Sequence, residues 1–342
     1  MNAPTEGSID SAAHRAQALA LPWLVADVGG TNARFGWVGD ASLKVTRVQT
    51  LSVADHLGPA EAASAYLQGL ALGPGPSPAA PRRSAWALAT ALDGDWVELT
   101  NGHWRFSRRA LKQSLGLEDL RLLNDFEALA LSLPHLQPSQ LRAHGALPRA
   151  QGMLAVIGPG TGLGVAGVVH TAQGWQALPG EGGHATLAAT DDDEAAVLAE
   201  VRRHFHHVSA ERLLSGIGLP VLHRAVCALA RQATPDLNAQ QIVEAGLNGA
   251  DPACQRTLDL FCALLGSFAG NVALTLGARG GVYIGGGIVP RLGERFFQSS
   301  FREKFEAKGR FRGYLADIPT ALITDTLAAL TGAAAALDPG VG

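Results

Sequence analysis

Two segments of the chain, 24–35 and 154–169, share one plan: an apolar run, a turn of glycine and threonine, and a second apolar run. Each pattern predicts a strand, a tight turn and a returning strand. Two copies about 130 residues apart indicate a duplicated α/β architecture rather than a solenoid. With 342 residues, of which 47% are hydrophobic, the chain exceeds what one core usually organises, so we expect two domains.

The two turns have the residue types of a phosphate site. Glycines at 29–30 let backbone N–H groups approach an anion, and the side chains of Thr31 and Asn32 add hydrogen bonds. Asp27 would orient a magnesium ion or its waters. The turn at 160–162 repeats this chemistry, which favours one nucleotide clamped between two lobes. An ordinary hairpin turn stays an alternative at the first site, because Gly-Gly is also typical of hairpins.

Two polar residues follow the apolar run at 120–123. Asn124 and Asp125 end this predicted strand, and a helical pattern begins near Phe126. Open α/β sheets bind ligands at the carboxyl ends of strands, which favours a binding role. Either residue type is also preferred as a helix cap, and the segment alone leaves that alternative open.

A glycine-flanked loop at 178–184 carries Glu181 and His184, which no helix or strand propensity requires. Glu211 stands near a predicted helix start, where it could instead compensate the helix dipole, and His184 could instead be a packed histidine. Together with the pair at 124–125, these side chains form a polar set that suits the hydroxyls of a sugar.

Phosphoryl transfer to a hydroxyl needs a carboxylate that accepts the hydroxyl proton, and Asp125 is our candidate for this base. A third glycine cluster, 285–287, follows the apolar run at 282–284. The backbone there would pass close to an adenine or a ribose. A tight turn between a strand and a helix explains the same glycines equally well.

Composition argues against nucleic acid and membranes as partners and against secretion. The net charge of −3, with 17% charged residues, provides no basic surface for nucleic acid. The three cysteines lack Cys-x-x-Cys spacing, so we expect neither a disulfide framework nor a zinc site, but a reducing cytoplasm. Residues 1–22 lack the features of a secretory signal and are expected to form a loose tail. Glycine and proline interrupt the apolar runs, so we expect no membrane association.

Seven segments in order resemble the bacterial glucokinase family, the ATP-dependent, hexokinase-like enzymes of the actin and ribonuclease-H-like ATPase superfamily. They lie at 27–34, 94–97, 124–126, 160–165, 178–184, 207–212 and 285–291. The resemblance covers about 23–337 and implies an α/β, two-lobed actin-like ATPase (ribonuclease-H-like) fold with a cleft between a small and a large domain. The small domain would comprise 23–135 plus 325–342, and the large domain 136–324.

The resemblance implies transfer of the γ-phosphate of ATP to the 6-hydroxyl of D-glucose, giving glucose 6-phosphate and ADP, the first step of glycolysis. It implies ATP and Mg²⁺ as cofactors, with Asp27 holding the metal through water. Separately, we expect a homodimer, for which the apolar segment 258–276 could supply an interface, although core packing explains that segment as well. Asp125 would take the proton of the 6-hydroxyl. The implied glucose ligands are Asn124, Asp125, Glu181, His184 and Glu211. The implied nucleotide-binding residues are Ala26, Asp27, Val28, Gly29, Gly30, Thr31, Asn32, Gly160, Thr161, Gly162, Gly285, Gly286 and Gly287.

Two other classes of protein share parts of this pattern. Sugar-sensing repressors keep a kinase-like body, but the residues before Trp23 are too few for a DNA-binding helix-turn-helix. An actin-like ATPase without a sugar shares the phosphate turns but does not explain the polar set. One departure from the family is local: Ala89-Thr90-Ala91 stands where related chains often carry a Cys-Pro step, which leaves the geometry of that loop open.

Overall fold

The computed structural model describes residues 20–73, 79–233 and 235–338. The predicted tail at 1–22 therefore lies almost entirely outside the described residues. The chain forms two compact units. The first contains the residues up to His135, the segment His170–Ala177 and the residues from Thr326 onward. The second contains Leu136–Val169 and Leu178–Asp325.

Both units contain strands and helices. The strands are β1 (Trp23–Val28), β2 (Asn32–Val38), β3 (Val45–Ser52), β4 (Arg83–Leu88), β5 (Trp96–Glu98), β6 (Arg105–Ser107), β7 (Asp119–Asn124), β8 (Leu141–His144), β9 (Met153–Pro159), β10 (Leu163–Thr171), β11 (Gly174–Gly180), β12 (Gly281–Ile284) and β13 (Thr320–Ile323). The α-helices are α1 (Pro59–Leu72), α2 (Arg108–Ser114), α3 (Asp125–Ser132), α4 (Asp192–Arg202), α5 (Leu219–Leu229), α6 (Ala239–Leu247), α7 (Pro252–Leu276), α8 (Val289–Leu292), α9 (Glu294–Gln298), α10 (Phe301–Glu306), α11 (Arg312–Ala316) and α12 (Ala328–Leu337).

The first sheet has the strand order β3-β2-β1-β4-β7. β1 and β2 form an antiparallel hairpin, whereas β1, β4 and β7 run parallel. Their register aligns Val28, Leu88 and Asn124 at the carboxyl ends of the three parallel strands. The loops that follow these residues therefore leave the sheet at one edge.

The second large sheet has the order β11-β10-β9-β12-β13-β8. Its β9 and β10 form an antiparallel hairpin, and β9, β12 and β13 run parallel. The arrangement repeats that of the first sheet, with a hairpin followed by two parallel neighbours. Ile157 on β9 pairs with Ile284 on β12, so the glycine turns after these strands leave at the same edge.

Each unit has its own hydrophobic core. In the first unit, the ring of Phe35 lies 5.5 Å from the rings of both Tyr66 and Trp86. The second core is built around α7. Among the described residues, α7 is the helix whose length and hydropathy would suit a membrane span, but 83% of its apolar window is buried in the protein. Such burial is typical of a core helix.

Helix α3 is held in place by α12 within the first unit. The contact is very close at Gly332, because a Cβ there would lie 1.6 Å from the carbonyl oxygen of Ala128. Only glycine permits this approach of the two backbones. The packing matters for the site because α3 begins at Asp125.

Candidate active site

The turn between β1 and β2 is a hairpin stabilised by its own backbone. The N–H of Gly29 donates to the carbonyl of Asn32 (2.9 Å), and the N–H of Val53 donates to the carbonyl of Thr31 (2.8 Å). Gly30 packs against the backbone of Asn101, since a Cβ at 30 would lie 2.2 Å from that carbonyl oxygen. The hairpin alternative therefore describes this turn, and close packing explains one of its glycines. The phosphate role stays a prediction.

Asp27 lies directly before this turn, with its side chain 17% exposed. The Nη1 atom of Arg34 donates to its Oδ2 atom at 3.0 Å. Burial raises the pKa of the Asp27 carboxyl, and Arg34 opposes that rise. The sequence patterns above give Arg34 no role. A hairpin centred on residues 30 and 31 pairs position 27 with position 34, so the predicted turn already carried the signal for this ion pair.

Asn124 and Asp125 lie at the carboxyl edge of the first sheet, where β7 passes into α3. Asn124 caps this helix, with its Oδ1 accepting from the N–H of Phe126 (2.9 Å). An Oδ1 atom of Asp125 accepts from the same N–H at 3.0 Å. The capping alternative is thus confirmed for Asn124. It does not exclude binding, because the cap uses only the carbonyl oxygen of the Asn124 amide.

The turn at 160–162 is joined to Glu211 in the second unit. The Oε2 atom of Glu211 accepts from the N–H of Leu163 at 2.9 Å. A Cβ at Gly162 would lie 2.5 Å from this oxygen, so glycine is needed for the carboxylate to reach the turn. The N–H of Gly160 donates to the carbonyl of Gly162 (2.9 Å), which closes the turn.

Three of the predicted sugar ligands meet in the second unit. His184 lies between two carboxylates, with Nδ1 3.9 Å from Glu211 Oε1 and Nε2 3.9 Å from Glu181 Oε2. The N–H of Glu211 donates to the carbonyl of Gly183 (2.8 Å) and ties the two loops together. The His184 side chain is 61% exposed, so the alternative of a packed histidine is wrong.

The predicted helix start near Glu211 is also wrong. Residues 211–213 form turns, and the next helix begins at Leu219. The hydroxyl of Ser209 accepts from the N–H of Arg212 (3.2 Å). This is the hydrogen bond of a helix N-cap, but here no helix follows it. The backbone then turns so that the N–H of Gly216 donates to the carbonyl of Gly160 (2.7 Å).

The third glycine cluster packs on the carboxyl end of β9. The N–H of Gly285 donates to the carbonyl of Ile157 (2.8 Å). Gly286 has φ +76°, and a Cβ there would lie 2.3 Å from the carbonyl oxygen of Pro159. The structure thus brings 285–287 beside 160–162. α8 begins two residues later at Val289, so the alternative of a tight turn before a helix describes the backbone, and the adenosine role stays a prediction.

Each unit therefore has a glycine turn at the carboxyl edge of its parallel strands, where open α/β sheets bind ligands, and this arrangement fits the class of sugar kinases with a duplicated α/β fold. The chain belongs to the glucokinase family, whose profile matches residues 24–339. A glucokinase of Paramagnetospirillum magneticum is 49% identical over 317 residues, which cover 91% of this chain and 96% of that protein.

Solved structures agree with this assignment. The structure of a glucokinase from an Antarctic psychrotroph is 38% identical and superposes with a TM-score of 0.85, covering 92% of this chain and 98% of its own. A more distant structure shares the fold: a ROK family glucokinase from Streptomyces griseus, in complex with glucose and AMPPNP, is 19% identical, has a TM-score of 0.59 and covers 92% of this chain and 98% of its own. The family, the α/β sugar-kinase fold and the kinase class predicted from the sequence are confirmed.

Proposed function

We propose that the protein transfers the γ-phosphate of ATP to the 6-hydroxyl of D-glucose, with Asp125 as the general base. The observation that carries this role is the position of Asp125. It is the first residue of α3, at the carboxyl edge of the parallel strands. The positive end of the helix dipole favours the ionised form of the side chain there, and an ionised carboxylate can act as the acceptor of the hydroxyl proton.

The sugar would be bound by Asn124, Asp125, Glu181, His184 and Glu211. A hexose hydroxyl both donates and accepts, so it needs an acceptor and a donor beside it. The 3.9 Å separations between the His184 nitrogens and their carboxylates are longer than direct hydrogen bonds. All three side chains can therefore direct hydrogen bonds to a sugar hydroxyl instead of to one another.

The nucleotide would be bound by the three glycine turns, 26–32, 160–162 and 285–287. Among residues 20–73, 79–233 and 235–338, no three His, Cys, Asp or Glu side chains converge on a metal position. Asp27 nevertheless fits Mg²⁺, because this ion keeps several waters and is bound through one or two carboxylates together with substrate phosphates. When bound, the metal would neutralise charge on the transferred phosphate. Asp27 would orient its waters, with Arg34 holding the carboxylate in place.

The experiment measures ADP and sugar 6-phosphate together for Asp125→Asn, with Mg²⁺ and ATP, across glucose, mannose, fructose, N-acetylglucosamine and no sugar. Loss of the base should lower kcat for glucose about 10²- to 10⁴-fold, with a smaller change in KM. Glu61→Gln is the matched control, since Glu61 is also a first-turn carboxylate of a helix in the same unit, and it should keep its kcat.

Near-normal turnover by Asp125→Asn would remove this residue from the role of base. ADP release by the unaltered enzyme that is indifferent to every sugar would instead overturn the proposed substrate and favour an ATPase. The homodimer, the cytoplasmic location and the absence of membrane and nucleic-acid partners stay predictions. Sedimentation of the purified protein measures the first of them.

A further inference from the structure

Thr90 connects the sugar-binding end of β7 to the β5–β6 hairpin. It follows β4 by two residues and is half-buried. Its backbone carbonyl accepts from Nδ2 of Asn124 at 3.4 Å. Its hydroxyl donates to the carbonyl of Glu98 (2.7 Å) and accepts from the hydroxyl of Thr100 (3.3 Å). The backbone oxygen and the side-chain oxygen of Thr90 thus bind two different elements of the first unit.

The amide of Asn124 has only one orientation that satisfies its neighbours. Oδ1 must face the N–H of Phe126, and Nδ2 must face the carbonyl of Thr90. A flipped amide would place two donors together at Phe126 and two acceptors together at Thr90. The orientation leaves the second Nδ2 hydrogen to donate to a ligand, in a direction that the carbonyl of Thr90 defines.

The hydroxyl of Thr90 determines where that carbonyl lies. Beyond β4 the backbone is irregular: the N–H of Thr90 donates to the carbonyl of Leu88 (2.8 Å), two residues back. The ladder of the sheet therefore no longer holds this residue, and the hydroxyl bond to Glu98 anchors it. The same hairpin reaches the first glycine turn, where Asn101 packs against Gly30.

We propose that Thr90 is a positioning residue for glucose: it does not touch the sugar but aims the Asn124 amide at it. The inference rests on the proposed function, since it takes glucose as the ligand of Asn124. It predicts that the affinity for sugar depends on the Thr90 hydroxyl, whereas the affinity for ATP and the proton transfer at Asp125 do not.

The test compares Thr90→Val, which keeps the shape and removes the hydroxyl, with Thr90→Ser, which keeps the hydroxyl. Loss of one hydrogen bond should raise KM for glucose about three- to tenfold in Thr90→Val, with KM for ATP and kcat changed less than about twofold. Thr90→Ser should restore the glucose KM. Thr46→Val is the matched control, because Thr46 makes the same hydroxyl-to-carbonyl bond, to Trp37 (3.0 Å), and should keep the glucose KM.

A double-mutant cycle separates positioning from a general loosening of the fold. In an Asn124→Ala background, Thr90→Val should no longer change kcat/KM for glucose, because the amide that it positions is gone. Three results would each overturn the proposal. KM for glucose could be unchanged in Thr90→Val, or it could rise equally in Thr90→Val and Thr90→Ser. KM for ATP could also rise as much as KM for glucose in Thr90→Val. Failure of the proposed function is distinct, since the unaltered enzyme would then form no glucose 6-phosphate.

Discussion

The close approach of α12 to α3 at Gly332 leads to a quantitative prediction for Gly332→Ala. In a helix interior this change ordinarily stabilises by about 0.5–1 kcal/mol. Here the added Cβ would lie 1.6 Å from the carbonyl oxygen of Ala128 and 3.1 Å from the backbone nitrogen of Ser132. Real Cβ contacts essentially never fall below 3.0 Å, so α12 and α3 must separate by about 1.4 Å.

Overpacking of this kind costs about 1–3 kcal/mol, so after the gain in helix propensity is subtracted the net loss of stability is up to about 2.5 kcal/mol. We therefore expect the melting temperature to fall by up to about 4 °C. Because α3 begins at Asp125, the same displacement would move the proposed base. A misplacement of about 1 Å can cost 10²-fold in rate, so kcat should fall at least about tenfold even where the protein is fully folded.

The assay pairs thermal unfolding with glucose phosphorylation at a temperature well below both transitions. Gly69→Ala is the control, since Gly69 lies inside α1 and its nearest neighbour to an added Cβ would be a side-chain oxygen at 3.7 Å. That variant should gain stability and keep its kcat. A Gly332→Ala protein that is as stable as Gly69→Ala and fully active would refute the argument from close packing.

Two further predictions follow from local geometry and from burial. Gly286→Ala places a side chain at φ +76° and against the carbonyl of Pro159, so KM for ATP should rise about tenfold or more. Gly277→Ala is the control, because it has φ +66° but lies in open space and should lose only stability. Equal KM values for ATP in the two variants would contradict this prediction. Burial and two nearby arginines lower the pKa of His144 from 6.5 to about 4. Between these pH values the unfolded state binds more protons than the folded state. The free energy of unfolding should therefore rise as the pH increases from about 4 to 6.5. Urea unfolding across this range should show a shallower slope for His144→Phe, and an unchanged slope would show that another group is responsible.

The features that the sequence predicted correctly depend on short stretches of adjacent residues. The turns at 29–32, 160–162 and 285–287 are glycine-rich between apolar runs, and all three follow buried strands in the structure. Strand and turn preferences act over a few residues, so a single chain displays them. The position of Asn124 and Asp125 at a strand end is local in the same sense. Glu211 was predicted to lie at a helix start because a serine followed by an acid is typical of a helix cap. The same serine-to-backbone bond also forms in turns that no helix follows.

The sequence by itself therefore determined the α/β plan, its duplication and the residue types at the glycine turns, because these depend on patterns of adjacent residues. Only the tertiary structure decided which side chains meet. The contacts of Thr90 with Asn124 and of Glu211 with Leu163 join residues 34 and 48 positions apart. Gly332 meets Ala128 across a still longer interval. Such contacts depend on strand register and helix packing, which arise when distant segments are buried together.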